Sequence, residues 1–131
     1  MKKILFVCIE NSNRSQMAEA FAHMYADDIV QAFSAGSEPS GKINPKAIAS
    51  MKEIGYDLST HDSKSLDEIP QVKYDAVVTM GCGDACPWIP ALLREDWDIP
   101  DPRDMDTNEF NSVRDFIGEK VLALVKALEA E

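Results

Sequence analysis

The feature that most constrains this chain is the way short apolar runs alternate with stretches of helical period. Residues 3–7, "KILFV", form one such run, and it stops at Cys8. Helical spacing resumes almost at once, with Met17, Phe21, Met24 and Tyr25 at i, i+4, i+7 and i+8. A second run spans Val30 to Ser34 and closes on Ala35-Gly36. "INPKAIASMKEIG" then reads as a punctuated helix, with Asn44 as N-cap, Pro45 in the first turn, Gly55 past the end, and Ile48, Met51 and Ile54 on its apolar face. "YDAVVTM" (Tyr74 to Met80) is a third buried strand, and "GCGDACPWIPALL" reads as a loop followed by a short helix. Trp97 to Ile99 is expected as a short strand stopped by Pro100. From about Asn108 a last helix carries Phe110, Val113, Ile117, Val121, Leu124 and Leu128 on one stripe.

Strands joined through helices run parallel, so the pattern predicts an α/β fold: a four-stranded parallel sheet flanked by helices on both faces. No repeat or linker divides residues 1–131, which are expected to form a single domain.

Charge narrows the function. The net charge of −10 argues against nucleic acid and against an anionic membrane surface. No apolar run approaches the roughly 20 residues of a membrane helix, and the expected location is cytoplasmic. The three cysteines, Cys8, Cys82 and Cys86, are too few and of the wrong parity for a disulfide framework. Reduced thiols of this kind are catalytic, metal-binding or simply buried.

Cys8 to Ser15 falls at the carboxyl end of the first strand and runs into a helix start, where parallel sheets bind ligands. Backbone N–H groups turned inward, together with the helix dipole, favour an oxyanion there and equally a thiolate. Arg14 adds a planar fork matched to two oxygens of a tetrahedral anion, and Ser15 is placed to donate to the Cys8 sulfur. A buried, unreactive cysteine at a strand end is the ordinary alternative.

"VCIENSNRSQMAEAF" resembles the anion-binding loop of the low-molecular-weight protein tyrosine phosphatase superfamily. Within it, "RSQMAE" is similar to the arsenate reductase branch, which is coupled to thioredoxin or to a low-molecular-weight thiol. Similarity extends through "FSAG", "NPKAIASMKEIGYDLS", "YDAVVTMGCGDACP" and "WDIPDPRD", nearly the whole chain. The resemblance implies an arsenate reductase whose loop (Cys8, Ile9, Glu10, Asn11, Ser12, Asn13, Arg14, Ser15) holds arsenate or a phosphate- or sulfate-like oxyanion. Cys8 is the implied nucleophile and Asp101, in "IPDPRD", the implied general acid; from the residues alone Asp101 is a turn residue between prolines. Cys82 would attack Cys8 and release arsenite, and Cys86 would resolve a Cys82–Cys86 disulfide for thioredoxin.

Gly81 and the short spacing of the pair depart from the family pattern. An outside thiol such as mycothiol or glutathione therefore remains an alternative resolving agent that leaves Cys86 dispensable. Half of a zinc site and inert packing are further readings of the pair; His23 and His61 show no ligand-like spacing, and no metal site is expected. Relatives commonly carry a second cysteine where this chain has Asn13, which leaves Cys82 as the partner of Cys8.

The resemblance implies no required cofactor. In some relatives Asn11, Glu19 and Ser34 help hold a potassium ion beneath the loop, and here Lys64 falls near the fourth ligand, so its ammonium is a candidate to replace the metal by pairing with Glu19. A phosphatase acting through the same Cys8 is the alternative enzyme, and an anion sensor or redox switch the non-enzymatic one. Glu10 is expected to point outward and to discourage bulky anionic substrates.

Overall fold

The computed structural model describes residues 1–81 and 88–130. Four strands, β1 (Lys2–Cys8), β2 (Val30–Gly36), β3 (Tyr74–Met80) and β4 (Ala91–Trp97), pair in the order β2-β1-β3-β4, every pair parallel. Among the described residues, three helices, α1 (Arg14–Ala26), α2 (Pro45–Glu53) and α3 (Thr107–Glu129), and two single-turn 3-10 segments, Leu58–Thr60 and Leu66–Glu68, accompany the sheet.

The continuous apolar run of β1 follows from its central place. Ile4, Phe6 and Cys8 enter one buried cluster while Leu5 and Val7 enter the other, so from Ile4 onward neither face of the strand meets water. The first cluster is the larger and takes residues from all three α-helices. On the opposite face, among the described residues, Ile69, Leu66 and Ile89 cover Leu5, Val7, Tyr74 and Val77. Among the described residues the two flanking layers are thus unequal, three α-helices against one 3-10 turn. Because β2 and β3 lie on opposite sides of β1, the chain reverses direction there, and the carboxyl ends of β1 and β3 form the switch point where such sheets bind ligands.

Helix α1 does not present the single stripe its spacing suggests. Met17 and Phe21 are buried, but Met24 and Tyr25 are about 40 % exposed, and Tyr25 stacks on Phe21 at 5.6 Å. Ala18, Ala20 and Ala22 are fully buried, so the helix packs against both the sheet and α3 through small side chains. The other helices match expectation closely. Asn44 Oδ1 accepts from Lys46 N at 2.9 Å ahead of Pro45, and Gly55 closes α2 with φ of 93°. All six stripe residues of α3 are buried, and its cap is Asp106, accepting from Glu109 N at 2.8 Å.

The short helix expected at the end of "GCGDACPWIPALL" is instead the start of β4 at Ala91, and of the strand expected at Trp97 to Ile99 only Trp97, the last residue of β4, is in a strand. "ALLRED" consists largely of good helix formers, but pairing with β3 overrides propensity. β4 is an edge strand whose charged, largely exposed residues guard it against further pairing.

Candidate active site

The loop from Cys8 to Asn13 leaves β1 and feeds α1 without an intervening residue. Its shape depends on Asn11, whose φ of 51° is left-handed and suits asparagine. The buried Asn11 side chain is bonded at both ends: Nδ2 donates to Ser15 Oγ at 2.8 Å, while Oδ1 accepts from Gln16 Nε2 and from Lys64 N, both at 2.8 Å. Gly36 makes room for the loop, since a Cβ there would stand 2.5 Å from the Ile9 carbonyl oxygen.

Cys8 Sγ lies 2.9 Å from Ser15 Oγ, buried. Ser15 Oγ already accepts from Asn11, which leaves its own proton to donate to the sulfur. A hydroxyl so committed stabilises a thiolate, the attacking form of cysteine. Arg14 is buried and anchored by Nη1 to the Ile99 carbonyl at 3.0 Å. Gly81, with φ of 73°, permits this, because a Cβ would sit 2.6 Å from Arg14 Nη1.

Cys8, Ile9, Glu10, Ser12, Asn13 and Arg14 line a pocket of about 110 Å³ that Asp101 and Arg103 close from the other side. Its volume is well below the range of drug-sized sites and suits a small anion. Asp101 Oδ1 accepts from Arg103 N at 3.1 Å, and Arg103 Nη1 reaches both carboxylate oxygens of Glu10 at 3.3 Å. Glu10 therefore faces Arg103 across the pocket mouth rather than solvent alone. This half-exposed pair is worth at most about 1 kcal/mol, so it orients more than it stabilises. A larger cleft of about 320 Å³ between α2 and α3, beside Ser50 and Phe110, has no cysteine in its lining.

Cys8, Arg14, Ser15 and Asp101 are thus brought together as the sequence suggests. Cys82 and Cys86 lie outside the described residues. Sequence reasoning missed Arg103 and the Ile99 carbonyl, whose long-range partners leave no local pattern, and Gln16, which ties the Asn11 backbone and side chain to the Asp62 carbonyl.

The residues considered for a cation beneath the loop take a different arrangement. Ser34 Oγ donates to Glu19 Oε1 at 2.8 Å, whereas Lys64 Nζ bonds the Asp62 carbonyl at 2.9 Å and not Glu19. Instead His23 Nε2 and His61 Nδ1 each stand 3.3 Å from Glu19 Oε2. Burial pushes the Glu19 carboxyl up, but the His23 hydrogen bond, with His61, Ser34 and Lys64, brings it below its usual range. His23 is raised by the Glu19 hydrogen bond, and His61 is lowered by burial. With the Asn11 oxygen doubly occupied and nitrogens facing the carboxylate, this donor set does not fit potassium, an ion bound through oxygen.

The model of the low-molecular-weight phosphotyrosine protein phosphatase family matches residues 3–86 and 82–131, and the chain belongs to that family. Its relatives point to one branch. The chain is 38 % identical over 128 residues to the glutaredoxin arsenate reductase of Synechocystis sp., covering 95 % of this chain and 97 % of that protein. The solved structure of an arsenate reductase in the phosphate binding state superposes with a TM-score of 0.87 at 36 % identity, covering 97 % of this chain and 98 % of the other. The thioredoxin-dependent arsenate reductase of Corynebacterium glutamicum gives a TM-score of 0.81 at 30 % identity, over 99 % of this chain and 63 % of that one.

Proposed function

We propose that this chain is an arsenate reductase. The observation that carries the reading is the single small pocket in which the Cys8 thiol, supported by Ser15, faces Arg14 and Asp101. Relatives that bear the arsenate reductase name share almost the full length of the chain.

Arsenate enters the loop with its oxygens on the inward N–H groups and the Arg14 fork. The Cys8 thiolate attacks arsenic, an S–As bond forms, and an oxygen leaves as water with a proton from Asp101. Cys82 then attacks Cys8 Sγ; the S–As electron pair passes to arsenic, arsenite departs, and a Cys8–Cys82 disulfide remains. Cys86 attacks Cys82, freeing Cys8, and the Cys82–Cys86 disulfide takes two electrons from thioredoxin. A low-molecular-weight thiol such as mycothiol or glutathione is the alternative donor. The proposed setting is the cytoplasm, with no nucleic-acid or membrane partner; among the described residues no helix is long and apolar enough to cross a membrane.

A phosphatase would use the same Cys8, but among the described residues no aromatic side chain lines the pocket to grip a phenyl ester. The deciding assay compares thioredoxin-dependent arsenate turnover with hydrolysis of a chromogenic phosphate ester, repeated on Cys82→Ser and Cys86→Ser. A reductase loses turnover in Cys82→Ser. Cys86→Ser turnover that survives with glutathione or mycothiol but not with thioredoxin identifies Cys86 as the thioredoxin-facing thiol. Ester hydrolysis without arsenate turnover assigns the chain to the phosphatases.

A further inference from the structure

Sequence spacing gives no hint that His23 and His61 belong together, yet the fold places both on the Glu19 carboxylate. Glu19 and His23 are one helical turn apart on α1, and His61 arrives just after the 3-10 turn Leu58–Thr60. Their facing atoms, Glu19 Oε2, His23 Nε2 and His61 Nδ1, all lie within 4.8 Å of one another. Both nitrogen–oxygen distances are 3.3 Å, long for a hydrogen bond. Two atoms bound about 2.0–2.1 Å from a tetrahedral zinc stand about 3.3 Å apart, the separation of the two nitrogen–oxygen pairs here.

Each of the three groups is also held from behind. His23 Nδ1–H donates to Asp27 Oδ1 at 3.1 Å, the carboxylate–histidine arrangement that leaves Nε2 to a metal. Ser34 Oγ holds the other Glu19 oxygen at 2.8 Å. His61 Nδ1–H donates to Gln16 Oε1 at 2.9 Å while Nε2 accepts from Tyr56 Oη at 2.6 Å; moving the ring proton to Nε2, where Tyr56 Oη then accepts it, frees Nδ1 for a metal. The groups open onto a surface hollow also lined by Asp62 and Lys64, so an ion has a path in.

We propose that Glu19, His23 and His61 form a site for a borderline divalent transition-metal ion of the zinc type, distinct from the oxyanion pocket. Two imidazoles and one carboxylate select such an ion over potassium, magnesium or calcium, whose preferred ligands are oxygens. Three protein ligands leave a fourth position to water or an outside group. Binding at His61 Nδ1 displaces its 2.9 Å hydrogen bond to Gln16 Oε1, and Gln16 is bonded to Asn11 in the anion loop. The ion would therefore be felt at the active site without touching substrate.

The test must exclude the thiols, which also bind zinc. In the full chain with Cys8, Cys82 and Cys86 all replaced by serine, zinc chloride is titrated calorimetrically and cobalt(II) is followed by its visible absorption. The site predicts one equivalent of zinc and a tetrahedral cobalt spectrum, with affinity falling about 10-fold or more in Glu19→Gln, His23→Gln and His61→Gln. Asp27→Asn, a change at an exposed position that leaves the fold intact, is expected to weaken binding by about 10-fold. The absence of one-equivalent binding overturns the proposal. So does one-equivalent binding that His23→Gln and Asp27→Asn leave unchanged.

Discussion

Arg14 Nη1 donates to the carbonyl of Ile99 at 3.0 Å, across 85 residues of sequence. That bond joins the guanidinium at the floor of the oxyanion pocket to the segment that carries Asp101, so clamp and proton donor are positioned as one unit. Arg14→Lys keeps the charge but loses the planar fork and its anchor. Arsenate turnover is expected to fall about 10²- to 10³-fold, as when an oxyanion donor is removed, measured as kcat with whichever thiol donor, thioredoxin, glutathione or mycothiol, sustains wild-type turnover. Near wild-type kcat in this variant would mean that charge alone suffices.

Gly81 supports the same bond from beneath. Gly81→Ala would place a methyl group 2.6 Å from Arg14 Nη1 at a backbone φ of 73°. The left-handed backbone alone costs about 1–2 kcal/mol, and Arg14 must also move. A lower melting temperature is expected together with weaker binding of inorganic phosphate, read by calorimetric titration. A melting temperature that drops while phosphate affinity holds would show that Arg14 keeps its place.

Asp101 is assigned proton donation and not binding. Asp101→Asn is expected to lower kcat about 10²- to 10⁴-fold, while inhibition by inorganic phosphate changes little. Loss of phosphate inhibition in parallel with kcat would make Asp101 a binding residue instead.

The parts of the molecule written in local pattern were legible in the sequence. The β1 run ending on Cys8, the Asn44-Pro45 start of α2 and the six-residue stripe of α3 each encode their element in a few consecutive turns of chain. Cys8, Arg14 and the left-handed Asn11 belong to one short stretch of chain, so their juxtaposition too could be read directly. What escaped was set by distant partners. β4 is spelled in helix-forming residues and becomes a strand because β3 offers a ladder. Arg103 meets Glu10 across 93 residues, and His61 reaches the Glu19–His23 turn from another segment. The Lys64 pairing with Glu19 went astray for the same reason, since the nearby Asp62 carbonyl takes the ammonium and the imidazoles take the carboxylate.

The central claim is that Cys8 is the nucleophile that takes up arsenate. Its most direct test is the stoichiometric formation of arsenite by fully reduced protein mixed with one equivalent of arsenate and no external thiol, for wild type and Cys8→Ser. Wild type is expected to release arsenite and lose two thiols per arsenite formed, because the enzyme's own cysteines supply both electrons. Cys8→Ser is expected to yield none while retaining its fold. Arsenite release by Cys8→Ser at the wild-type level would contradict the account.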